Sequence, residues 1–232
     1  MITRASDHAA ARPCLQRAGN GAGKAAEYYR DLLRQLPWPG HNGSPPLRTL
    51  GVTSCLEGEG VSTLAAQVAV TAAAHDGCRI LLVDANLARP SLQRILGMKD
   101  SPGLAECLLD PAQCGANVQP SRVGNLSVLA AGKMDGSYGQ VYDSPTLARV
   151  VQTLRDDFDL VVFDLPAAGR TASATPLLKL LDGALLVIEA DRVSWEVARR
   201  TKQSLSRAGV RFVGAVLNKR RDYLPGWLYR RL

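Results

Sequence analysis

The feature that most constrains this chain is a series of short, nearly unbroken apolar runs set between helix-like stretches. RILLVD (79–84), NLSVLAA (125–131), FDLVVFD (158–164), GALLVIEA (183–190) and VRFVGAVLN (210–218) share this style, and RTLGVTS (48–54) is a shorter β-rich relative. A strand with one wet face alternates apolar and polar residues, whereas a strand covered on both faces need not. Between the runs, VSTLAAQVAVTAAAH (61–75), SPTLARVVQTLRDD (144–157) and SWEVARRTKQSLSRAG (194–209) read as helices. The alternation predicts an α/β fold, a doubly wound and mostly parallel sheet flanked by helices. A length of 232 residues suits one such unit better than two small ones.

The flanks differ in character. Residues 1–24 are rich in Ala, Arg and Gly without a period and are expected to form a disordered tail. AAEYYRDLLRQL (25–36) predicts a helix with Leu32, Leu33 and Leu36 as its apolar stripe, and PWPGHNGSPP (37–46) predicts a linker. The α/β unit then covers 47–219, and 220–232 is a basic, aromatic C-terminal tail. Gly23-Lys24 resembles part of a phosphate loop, but no strand precedes it and Ala25 lacks a hydroxyl.

The net charge of +7 implies attraction to an anionic partner, and 5% aromatics without basic interleaving outside the C-terminus argue against nucleic acid. Cys14, Cys55, Cys78, Cys107 and Cys114 are widely spaced, with no metal-ligand pattern, and read as free thiols of the cytosol. The most apolar stretch, LLKLLDGALLVIEA (177–190), is broken by Lys179, Asp182 and Glu189, so membrane association is expected through a partner or a surface patch.

Ligands in such sheets bind beyond the carboxyl ends of the strands. The first of these ends reads CLEGEGVST (55–63). Gly58 and Gly60 let the backbone curl around an anion, and the helix starting near Val61 would aim its positive end there. Ser62 or Thr63 can offer a hydroxyl to magnesium. Taken alone, this loop fits a phosphate cradle and a plain turn equally, because Val61 stands where a phosphate loop carries lysine. Asp84 and Asp164 each end an apolar run, where an unpaired carboxylate is costly and a magnesium ion would relieve the cost. Asn218, after the last run, could read a purine with its amide donor and acceptor or be a simple loop residue. Together the glycine loop and the two aspartates point to a nucleotide site.

These motifs, in this order, resemble the bacterial tyrosine kinases of capsule and exopolysaccharide synthesis, the CpsD/CapB type, which are P-loop proteins related to the MinD/ParA ATPases. SCLEGEGVST resembles their Walker A segment, LLVDANLARP their Walker A′ motif and LVVFDLPA their Walker B motif. GLAECLLD, LSVLAAGK and LLDGALLVIEA resemble further family segments, and EYYRDLLRQL (27–36) resembles the family's inter-subunit helix. The resemblance implies ATP or ADP with Mg2+ as cofactors. Glu57, Gly58, Glu59, Gly60, Val61, Ser62, Thr63 and Asn218 would bind nucleotide. Ser62, Asp84 and Asp164 would hold the metal, with the two aspartates catalytic. It also implies a membrane-embedded polysaccharide co-polymerase or adaptor as partner, homo-oligomers through the 27–36 helix, a location at the inner face of the cell membrane, and Tyr223 and Tyr229 as phospho-acceptors.

The departures fall where rate is decided. Val61 replaces the Walker A lysine, Asn86 replaces the second acid of Walker A′, Ala88 replaces the first arginine of the R-R-P run, and Ser173 falls where an acid usually follows Walker B. Loss of such charge-stabilising contacts costs orders of magnitude in rate, although Arg89 or Arg170 could substitute for the lysine. The sequence therefore leads to a degenerate tyrosine-kinase-like nucleotide-binding protein of the polysaccharide pathway. The alternatives are an active autokinase of that pathway and a MinD/ParA-type positioning ATPase.

Overall fold

A computed structural model describes residues 2–6, 20–36, 46–74, 77–133, 142, 145–169 and 172–220. The strands are β1 (Ile2–Ser6), β2 (Thr49–Ser54), β3 (Ile80–Asp84), β4 (Gln119–Pro120), β5 (Leu126–Leu129), β6 (Leu160–Asp164), β7 (Gly183–Glu189) and β8 (Phe212–Arg220). They form one sheet in the order β1-β8-β7-β2-β6-β3-β5-β4. Every neighbouring pair runs parallel except β4 with β5 at one edge. The expected doubly wound, mostly parallel sheet is the observed fold.

Every residue of β2, β3 and β6 is buried, which explains their continuous apolar character. Successive side chains go to opposite faces. Leu50, Val52, Ile80, Leu82, Leu160 and Val162 join one core cluster, which includes α1 (Asn20–Gln35) and α2 (Val61–Ala73). Leu81, Val83, Val161 and Phe163 join the other, beneath α6 (Thr146–Asp157) and α7 (Thr175–Leu180). Short helices α3 (Leu92–Leu96), α4 (Leu104–Leu109) and α5 (Cys114–Asn117) fill the connections after β3, and α8 (Trp195–Arg207) links β7 to β8.

The N-terminal flank differs from the disordered tail expected for 1–24. Residues 2–6 pair as a parallel strand with the free edge of β8, and α1 begins at Asn20 and takes in Gly23-Lys24. An open strand edge presents unpaired backbone groups that a further strand satisfies, and a composition-based reading has no access to that edge. Leu32 and Leu33 of α1 and Leu36 just after it are buried in the core, while Glu27 and Arg30 are exposed. Tyr223, Tyr229 and Arg170 lie outside the described residues, as does Cys14; Cys55, Cys78, Cys107 and Cys114 are free thiols. No helix among the described residues is long and apolar enough to cross a membrane.

Candidate functional site

The carboxyl ends of β2, β3 and β6 open on a cleft of about 550 Å³. Gly58, Gly60, Val61, Ser62, Thr63 and Glu57 line one side, and Asn86, Ala88 and Arg89 line the other. Register places the parts: Val52 pairs with Asp164 across β2 and β6, and Asp84 pairs with Asp164 across β3 and β6. The loop from β2 to α2 turns through Gly58 (φ 81°) and Gly60 (φ 92°), left-handed conformations that favour glycine. A side-chain carbon on Gly60 would also come within 2.3 Å of the Asn218 amide nitrogen.

The two aspartates share a level but not an environment. Asp84 accepts hydrogen bonds from the backbone N–H groups of Asn86 (3.2 Å), Ser91 (2.9 Å) and Leu92 (3.0 Å). Burial raises its pKa, and those donors pull against the rise. Asp164 is fully buried, and neither carboxylate oxygen has a hydrogen-bond partner. Its pKa is pushed up to about 8, chiefly by burial and then by the Asp84 charge; the nearby Ser62 hydroxyl opposes both without closing a hydrogen bond. A buried carboxylate without donors, beside a second carboxylate and a hydroxyl, is chemically suited to a hard cation. Among the described residues no cluster of three or more His, Cys, Asp or Glu could hold a metal alone. That donor set suits magnesium, which keeps waters and takes phosphate oxygens rather than filling an all-protein cage.

Several expected ligands occupy unexpected positions. Glu59 is buried and turned inward: its carboxylate accepts from the N–H groups of Leu56 (2.8 Å) and Glu189 (3.0 Å). A second negative charge is thereby kept out of an anion cradle. The Asn218 amide donates to the Glu59 carbonyl (2.8 Å) and accepts from the Lys219 N–H (2.9 Å), so it grips the loop. Val61 lies in the cleft wall and packs against the core under α2. Arg89 pairs with Glu57 across the mouth, both largely exposed.

Tyr142 and Arg94 are cleft residues that carry no linear signal. Tyr142 lines the cleft and donates its hydroxyl to the Ala85 carbonyl; burial raises its pKa further. Ser173 also lines the cleft, as does Arg94. Glu189 and Lys219 meet behind the loop at 3.2 Å. Only the sheet order brings β7, β8 and the loop together.

The family described as ParA, NUBPL iron-transfer P-loop NTPase, matches residues 47–224. The chain belongs to the ParA-type P-loop NTPases. Within them it matches the bacterial tyrosine kinases of the CpsD/CapB type. It is 29% identical over 193 residues to the tyrosine-protein kinase YwqD of Bacillus subtilis, covering 83% of this chain and 80% of that one. It is 31% identical over 175 residues to the succinoglycan biosynthesis transport protein ExoP of Rhizobium meliloti, covering 74% of this chain but 22% of ExoP. The BceF tyrosine kinase domain superposes with a TM-score of 0.72 at 26% identity, covering 84% of this chain and 77% of that domain. MinD of Pyrococcus horikoshii, solved with Mg-ADP, shares the fold with a TM-score of 0.63 at 23% identity, covering 79% and 76%. These relatives tie the P-loop family of this chain to the exopolysaccharide and capsule machinery in general.

Proposed function

We propose that this chain is a nucleotide-binding, tyrosine-kinase-like P-loop protein whose phosphoryl transfer is weak. In this reading it works as a scaffold or regulator beside a membrane-embedded polysaccharide co-polymerase or adaptor. The observation that carries the reading is the contrast within one cleft: the glycine loop and the Asp84–Asp164 pair are intact, while Val61 replaces the cation of the loop. Ser62, Asp84 and Asp164 would hold magnesium, which when bound supplies positive charge beside the phosphates. The N–H groups of the loop and the start of α2 would hold the phosphate oxygens. The alkyl side chain of Val61 cannot stabilise charge on a transferring group, and Asn86 cannot take a proton as a carboxylate would. The exposed face of α1, with Glu27 and Arg30, would remain available for contact between copies.

A second reading, an active autokinase, draws support from Arg89, which lies in the cleft wall and could supply the missing cation. Labelled ATP with magnesium separates the two, with the protein measured beside Val61→Lys. The regulatory reading expects ADP binding by both proteins and labelling of Tyr223 or Tyr229 only in the lysine variant. Strong labelling of the unaltered protein, lost in Arg89→Ala, would establish the second reading instead. Absence of ADP binding in both would remove the nucleotide site itself.

A further inference from the structure

The end of β8 reaches across the sheet to the outer side of the glycine loop. Lys219 donates from Nζ to the Gly58 carbonyl at 2.7 Å, and Asn218 donates to the next carbonyl, that of Glu59, at 2.8 Å. Two consecutive peptide groups of the loop are therefore held from behind. In a trans peptide the carbonyl and the following N–H point in opposite directions. Pinning these oxygens to β8 turns the N–H groups of Glu59 and Gly60 away from it. Gly58 and Gly60 line the cleft, whereas Asn218 and Lys219 do not.

The lysine is itself held in place. Its Nζ lies 3.2 Å from Glu189 Oε2, and Arg192 donates to the same oxygen at 2.8 Å. Burial works against the Glu189 carboxylate, but the bonds from Arg192 and Lys219 outweigh it and keep its pKa below the ordinary range. The Glu189 N–H in turn donates to the Glu59 carboxylate at 3.0 Å, so one network ties β7, β8 and the loop together. Lys219 also has φ 55°, a left-handed backbone that a lysine adopts at a cost. Strain of this kind persists where surrounding contacts over-determine it.

We infer that Lys219 is a positioning residue: with Asn218 it clasps the glycine loop from outside and presents the loop's N–H groups to the phosphates of a nucleoside diphosphate. The ligand half of this inference rests on the nucleotide reading above; the ordering half stands on the unliganded protein. The chain thus has a lysine serving its phosphate loop, but through the carbonyl side, where it orders the cradle without entering it.

Hydrogen exchange of the full unliganded chain, read over 56–64, tests the ordering. ADP with magnesium, measured by calorimetry on the same samples, tests the ligand. Lys219→Met is expected to speed exchange in the loop and to weaken ADP binding by on the order of tenfold, as for loss of a charged hydrogen bond. Lys219→Arg is expected to restore both, which a mere loss of bulk would not explain. Unchanged loop exchange in Lys219→Met would overturn the clasp, and ADP affinity unchanged within about twofold would overturn its role toward phosphate. If Lys219→Met unfolds, seen as lost protection in β3 and β6, Glu189→Gln replaces it: it keeps its backbone N–H and must loosen the loop alone. If the unaltered protein does not bind ADP, the nucleotide reading and the phosphate role fall, while loop exchange still decides the clasp.

Discussion

Asp84 and Asp164 stand opposite each other at the ends of adjacent parallel strands, yet Asp84 takes three backbone hydrogen bonds and Asp164 takes none. The same residue type therefore stabilises the fold on one strand and strains it on the next. The donors differ because the chain after β3 doubles back into α3, which turns its first N–H groups onto Asp84.

Asp164 makes the metal-free protein sensitive to pH. Its folded pKa of about 8 lies above the ordinary 3.8. Between those values the native state keeps a proton that the unfolded chain has released, so stability falls as pH rises through the window and levels off above about 8. In EDTA, Asp164→Asn is expected to melt several degrees above the unaltered protein at pH 8, with the gap closing toward pH 5, since each kcal/mol is worth about 2–4 °C at this size. Melting curves that stay parallel across that range would refute the assignment.

Asp84→Ala is expected to act in the opposite sense. It strands the buried donor of Leu92 and the half-buried donor of Ser91, which costs about 2–3 kcal/mol. Urea unfolding should show a lower midpoint at an unchanged slope, and amide exchange should rise first at 86–92. A midpoint equal to that of the unaltered protein would mean that these bonds contribute nothing net.

Gly60→Ala and Gly77→Ala form a matched pair. Both glycines have positive φ, 92° and 79°, but a side-chain carbon meets the Asn218 amide at 2.3 Å in the first and nothing within 4 Å in the second. Gly77→Ala should cost only the backbone strain, about 1–2 kcal/mol. Gly60→Ala should cost more and should also lose ADP binding, because it pushes Asn218 off the loop. Equal melting temperatures for the two variants would contradict that geometry.

Glu57→Gln should release Arg89 toward the cleft and remove a negative charge from its mouth. Because both side chains are largely exposed, the effect is small: ADP binding tighter by about two- to fivefold at low salt, fading as ionic strength shortens the screening length. Titration calorimetry at two salt concentrations checks it, and an effect that persists in high salt would point to a different cause.

The continuous apolar runs at 79–84, 158–164 and 183–190 already state that strands are covered on both faces, and that constrains the chain to a doubly wound sheet. The positions of Asp84 and Asp164 at the ends of the first two runs, and of Gly58 and Gly60 after the shorter run 48–54, follow from local sequence, because a turn follows the last apolar residue. The replacement of the loop cation by Val61 is equally visible. Helices α3, α4 and α5 are too short for a periodic pattern to register, and strand β1 is defined by its pairing with β8, a partner more than 200 residues away.

What only the tertiary structure decided is which polar groups meet. Glu59 looked like a ligand and is an inward brace, because Glu189 brings its N–H from 130 residues away. Asn218, open in the sequence between a base reader and a simple loop residue, grips the loop, because the sheet order sets the end of β8 beside β7 and near the loop after β2. Tyr142 reaches the Ala85 carbonyl across 57 residues. Burial pattern is written along the chain, residue by residue, but hydrogen-bond partners and the field at a carboxylate depend on register between segments far apart, and that register exists only once the sheet is assembled.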